Sequence, residues 1–194
     1  MARKREFDKA AVLDKAMLVF WEKGFEATSI LDLKDAMGIS TSSMYETFGD
    51  KRGIFLQALT HFCELERQQF ATLAQETPSA AQLISLLFDS VESIAQNTDA
   101  NHGSFAFNAM VEFGTRDPAV TELIFAHYFD IAEIITEVLG QAQDKGVITT
   151  QHNPSHLAHL ILSTVHSVAT VKGAIPSYSY TEPIKQIILT MLKD

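Results

Sequence analysis

At 194 residues the chain is long enough for one sizeable domain or two small ones sharing a core. A 46% hydrophobic and 20% charged composition fits a soluble globular protein and excludes a disordered one, and no apolar run approaches the roughly 20 residues that span a bilayer. The net charge of −9 is unevenly spread: over residues 1–53 nine Lys/Arg balance nine Asp/Glu, whereas beyond residue 53 six basic groups stand against fifteen acidic ones. One cysteine, Cys63, leaves no internal disulfide framework and fits a reducing cytoplasm. The opening Met-Ala-Arg-Lys-Arg-Glu is charged and no apolar stretch follows it, so no secretory signal is expected.

The punctuation along the chain is helical. Asp8 suits an N-cap, with Phe7 and Val12 as a hydrophobic staple, and Leu13, Ala16, Met17 and Phe20 repeat at the spacing of one buried stripe that Gly24 ends. Thr28 or Ser29 caps a short second helix with an inner face of Ile30, Leu33 and Met37, stopped by Gly38. Ser40 caps a third helix running to about Phe48, and Asp50 a long fourth through Phe55, Leu59, Phe62, Leu65 and Leu73. Pro78-Ser79 begins a fifth, to about Asn97, and a shorter one lies within 103–114. Asp117-Pro118 and Asn153-Pro154 each set a capping side chain before a proline at the first helical position, and Thr181-Glu182-Pro183 opens the last helix. With no alternating strand pattern, the expectation is an all-α chain of about nine helices.

The second and third helices have the make-up of a helix-turn-helix. Gly38-Ile39-Ser40 is a turn in which glycine permits a left-handed backbone; Met44 and Phe48 face the core and leave Thr41, Ser42, Tyr45 and Thr47 outward. Short hydroxyls let a helix approach base edges in the major groove, while Tyr45 and Thr47 reach phosphates. Lys51 adds a cation beside a helix N-terminus, and Thr28 and Ser29 offer phosphate contacts at another. Arg3, Lys4 and Arg5 suit a basic arm reaching the backbone or minor groove. The acidic excess lies outside this segment, and phosphate repulsion fades within about 8–10 Å at ordinary salt, so the charge split marks the end that meets DNA. The competing reading is an ordinary exposed helix start, because Ser and Thr favour N-caps everywhere.

From Phe7 to about Leu59 the sequence resembles the tetracycline-repressor (TetR) family of transcriptional regulators. The resemblance rests on Phe7-Asp8, the run from Ala16 to Ile30, Leu33, Ala36-Met-Gly-Ile-Ser, Ser43-Met-Tyr, Phe48-Gly-Asp-Lys and Phe55. It implies a homodimer, each subunit with a helix-turn-helix DNA-binding domain (1–53) and a larger helical ligand-binding and dimerisation domain (54–194). By position Thr28, Ser29, Thr41, Ser42, Ser43, Tyr45, Thr47 and Lys51 match the family's DNA-contacting residues. Glu46 departs from the family pattern; a carboxylate there repels phosphate yet can accept a bond from a cytosine amino group. The segment from Asn101 to Val120 resembles one branch of the family, with Ser104 where a cysteine is frequent, so a redox role at that position is not available.

The implied function is a repressor released from a palindromic operator by a small-molecule ligand. The alternative is a helical ligand-binding or enzymatic protein that has lost DNA binding. Phe62, His102, Phe105, Asn108, Glu112, Phe129 and His166 are the candidate ligand contacts, and so few basic groups beyond residue 53 favour a neutral, aromatic or cationic ligand. His152, His156 and His159 have no carboxylate or thiol among them, so no metal or other cofactor is expected. No motif sets a nucleophile beside a base, so no enzyme is expected. Leu157, Leu160, Ile161, Thr164, Val165 and Val168, with Ile184, Ile187, Ile188 and Met191, give the last two helices broad apolar faces. By resemblance they pack on the same helices of a second subunit.

Overall fold

The computed structural model describes residues 7–77, 79–96 and 103–193, and among them the chain is all-α with no strand. Nine helices follow in order: α1 (Lys9–Lys23), α2 (Ile30–Met37), α3 (Thr41–Phe48), α4 (Lys51–Glu76), α5 (Ala80–Gln96), α6 (Phe105–Phe113), α7 (Pro118–Asp144), α8 (Pro154–Ala174) and α9 (Thr181–Met191). The expected caps are in place. Asp8 accepts from Ala10 N, Ser29 from Asp32 N, Ser40 from Ser43 N, and Asn153 from Ser155 N and His156 N ahead of a helix with Pro154 at its first turn. Arg3, Lys4, Arg5, Pro78, Asn97 and His102 lie outside the described residues.

The chain forms two compact units, one of Met1–Leu65 with Phe105–Ile124, the other of Glu66–Ser104 with Phe125–Asp194. The first is built on aromatics. Phe20, Phe55 and Phe105 are buried, and Phe55 meets four other rings: Phe20 at 5.1 Å edge-on, Phe25 at 5.2 Å, Phe105 at 5.8 Å and Phe113 at 4.9 Å stacked. Each such pair adds roughly 0.5–1.5 kcal/mol beyond the area it buries. Leu33, Met37, Met44 and Phe48 bury the inner faces of α2 and α3 in the same core.

The second unit's buried core is mostly aliphatic. Ile131, Ile135 and Leu139 of α7 and Leu157, Ile161, Val165 and Val168 of α8 recur at helical spacing and pack with Leu87 and Phe88 of α5 and Ile188 of α9. The apolar faces expected on the last two helices therefore divide. Leu157, Ile161, Val165, Val168 and Ile188 are buried inside the unit, while Leu160 and Ile187 face outward, Ile187 with 63% of its surface exposed. Lys172, itself buried, donates to Glu92 at 2.8 Å and to Tyr178 O at 2.8 Å, and Lys185 bonds Asp89 at 2.7 Å, so two ion pairs fasten α5 to α8 and α9. No described helix is long and apolar enough to cross a membrane.

Candidate nucleic-acid interface

The turn between α2 and α3 begins at Gly38, whose φ of 69° and ψ of 27° lie in the left-handed region that favours glycine, and its N–H donates to Lys34 O at 3.0 Å. Ile39 packs inward and Ser40 starts α3 at once. Ser40 Oγ accepts from Ser43 N at 3.2 Å and donates to Ser43 Oγ at 2.9 Å, so Ser43 is tied into the cap. Met44 and Phe48 bury one side of α3. Ser42, Tyr45 and Glu46 are exposed away from it, Tyr45 by 45%; Thr41, on the same face as Phe48 by helical spacing, is exposed at the helix start, and Thr47 is half-buried. The helix thus presents a short polar surface of two hydroxyls, a phenol and a carboxylate.

Ser29 settles the choice of cap for α2. It forms a capping box with Asp32, whose carboxylate accepts from Ser29 N at 2.8 Å. Lys23 donates to the other oxygen of Asp32 at 2.6 Å, and this bond first, the Ser29 bonds second, hold that carboxyl well below the ordinary range. Thr28 turns the other way: it is 1% exposed and its hydroxyl donates to Gly24 O at 2.6 Å, so its side chain closes the α1–α2 turn and presents nothing outward.

At the start of α4, Asp50 accepts from Gly53 N at 2.7 Å. A Cβ on Gly53 would stand 2.2 Å from Phe48 O, so the α3–α4 junction requires glycine there. Lys51 folds over the α1–α2 turn, 4.5 Å from the Phe25 ring centroid and 3.3 Å from Glu26 O. Arg52 and Asp117 form a two-pronged pair, Nε to Oδ2 at 2.6 Å and Nη2 to Oδ1 at 2.8 Å, which lowers the Asp117 carboxyl's pKa and raises that of the guanidinium.

The family model described as Bacterial regulatory proteins, tetR family, matches residues 12–58, and one described as Tetracyclin repressor-like, C-terminal domain, matches residues 80–175. The chain belongs to the tetR family. Among curated tetR-like relatives, the HTH-type transcriptional repressor ComR of Escherichia coli (strain K12) is 26% identical over 175 residues, 89% of this chain and 83% of ComR. A cysteine-substituted CifR, solved in complex with 26-bp double-strand operator DNA, matches the fold with a TM-score of 0.79 at 24% identity, over 98% of both chains. FadR of Bacillus subtilis, solved with stearoyl-CoA, has a TM-score of 0.73 at 14% identity, over 95% of this chain and 97% of that one.

The ligand candidates of this tetR-family chain are distributed over both units. Phe62 and Phe105 meet edge-on at 5.6 Å in the first unit's core, beside Trp21, and Asn108 is on α6. Glu112 is already engaged within the fold. Its carboxylate accepts from Phe25 N and Glu26 N, both at 2.9 Å, and so binds the turn that Lys51 covers. In the second unit Phe129 is exposed, 4.4 Å from Phe125 and 5.3 Å from His159. His166 is mostly buried, and desolvation lowers its pKa against the pull of Glu66. His127, buried, shares a 2.7 Å bond with Glu66, a pair that sequence spacing gave no means to find. A cavity of about 530 Å³ lies between the end of α4, the start of α5 and α7, lined by Ala74, Ile134, Val138, Val147, Gln141 and Lys145 and by none of the expected ligand residues. Among the described residues no three His, Cys, Asp or Glu are placed to hold a metal.

Proposed function

We propose that the chain is a transcriptional regulator of the repressor type that sets α3 in the major groove of an operator and leaves it when a small molecule binds. The observation that carries this reading is the polar surface of α3, with Ser42, Tyr45 and Glu46 exposed away from buried Met44 and Phe48 and Thr41 exposed at the helix start. Ser29, Thr47 and Lys51 are assigned to phosphates; Ser43, bonded to Ser40, and Thr28, bonded to Gly24 O, keep the helix starts in shape. Residues 1–53 carry recognition, and residues 54–194 carry effector binding and dimerisation. The operator complex of CifR and the stearoyl-CoA complex of FadR support both halves of the reading at the level of fold. No catalytic role is assigned, and a cytoplasmic location follows from DNA as the partner.

The partner subunit is a second copy of the chain, docked on α8 and α9, where Leu160 and Ile187 supply exposed apolar surface. A two-fold dimer holds its recognition helices roughly 34–36 Å apart, one turn of DNA, on a palindromic site. An effector acts only by binding unequally to the states that fit and misfit that spacing; a difference of about 1–3 kcal/mol changes operator occupancy five- to 150-fold. The test is to recover genomic fragments bound by the full chain and screen small molecules for their release. Recovery of one palindromic motif, released by some compound, is expected, and failure to enrich any sequence would contradict the reading. Ile187→Arg should give monomers of unchanged helicity in sedimentation; an intact dimer would refute the interface.

A further inference from the structure

Glu46 is the residue of α3 that local physics explains least. It occupies the last turn of the helix, where backbone carbonyls concentrate negative charge and a carboxylate is disfavoured. Among the described residues it has no ion pair: Lys51 is directed at Phe25 and Glu26, and Lys34 at Asp35. A carboxylate in an unfavourable position, without compensation among the described residues, is the kind of local conflict that marks a functional site.

Its direction narrows the function. At 3.6 residues per turn each step rotates about 100°, so the line opposite Met44 and Phe48 falls on Glu46, between Ser42 and Ser43. Ser42 and Tyr45 lie to one side of that line and Ser43 and Thr47 to the other, while Thr41 returns toward Phe48. A helix that backs onto its own core through Met44 and Phe48 therefore sends Glu46 deepest into the groove. The flanking hydroxyls face the two sugar–phosphate walls. At that depth the carboxylate meets base edges, and as an acceptor only it needs a donor. The major groove offers two, the amino groups of cytosine and adenine. Adenine sets its N7 lone pair beside that amino group and so repels a second carboxylate oxygen; cytosine sets only C5–H there.

Resting on the regulator reading above, the geometry points to Glu46 as a specificity-determining residue that selects cytosine at one position of each operator half-site. It also rejects non-cognate DNA, because without the amino donor the buried carboxylate faces acceptors and phosphate alone.

The test is selection from randomised duplexes by the full chain as wild type, Glu46→Gln and Glu46→Ala, at one salt concentration. Wild type should enrich cytosine at one symmetry-related position per half-site, and replacing that base should weaken binding about 5- to 150-fold. Glu46→Gln, able to donate and accept at once, should move the preference at that position toward adenine. Glu46→Ala should erase it, and both variants should keep the rest of the motif, which shows that they fold and dock alike. Identical motifs from all three proteins would overturn the assignment while leaving the regulator reading intact. So would a uniform gain in affinity for every sequence on removing the carboxylate, which marks a mere repellent. A wild type that enriches no motif would overturn both.

Discussion

The two compact units solve the same packing problem with different side chains. Around Phe55 the first unit stacks rings edge-on and face-on, and it ties α6 to the α1–α2 turn through Glu112 and the start of α4 to that of α7 through the Arg52–Asp117 fork. The second unit packs branched aliphatic chains and keeps ionisable groups inside: Lys172 against Glu92, His127 against Glu66, and His166. The unit that carries α3 is thus held by ring contacts and bonds between distant residues, and the other by aliphatic layers with ionisable groups buried among them.

The contrast can be broken in order of effect. Phe55→Ala removes a ring that touches four others and should cost about 3–5 kcal/mol in urea unfolding, and the matched truncation Ile135→Ala in the aliphatic core about 2–5 kcal/mol. A smaller loss for Phe55→Ala than for Ile135→Ala would contradict the weight given to the ring cluster. Gly53→Ala forces a methyl against the Phe48 carbonyl and should destabilise by about 1–3 kcal/mol with a matching loss of DNA binding. Ser29→Ala, which removes one half of a capping box, should cost about 1 kcal/mol.

The smallest effect sharpens the comparison by pH. His166 has its pKa held below the ordinary 6.5 by burial, so the unfolded chain takes up the proton first. Its contribution is complete above 6.5 and is lost as pH falls from there toward the folded value. Asp32, Glu92, Asp117 and Glu182 are held below the ordinary 3.8–4.5 by their cationic and hydrogen-bonding partners, so their contribution disappears only in stronger acid. Melting temperature should therefore decline in two stages, and His166→Phe should abolish the upper one alone. A single acid transition in both proteins would contradict the assignment.

What the sequence made legible was local. The caps at Asp8, Ser29, Ser40 and Asn153 bond atoms two or three residues away, so type and spacing suffice to name them. Thr28 shows the limit of that logic: adjacent hydroxyls offered two equivalent caps, and only the bond to Gly24 O turned one of them inward. Glu112, an obvious polar partner for a ligand by residue type, meets a turn 86 and 87 positions away. The Arg52–Asp117 and Glu66–His127 pairs, separated by 65 and 61 residues, likewise exist only once the helices have packed. Side chains that act across the fold carry no periodic signature, which is why the buried residues of α3 were legible in the sequence and these long-range pairs were not.

The central claim, that the outward face of α3 holds DNA, is tested most directly by Tyr45→Ala in the full chain, titrated on the duplex the wild type selects. The account predicts unchanged helicity and dimerisation with affinity about tenfold lower or worse at fixed salt, and wild-type binding that weakens steeply as salt rises. Equal affinity of the two proteins, or binding indifferent to salt, would contradict it.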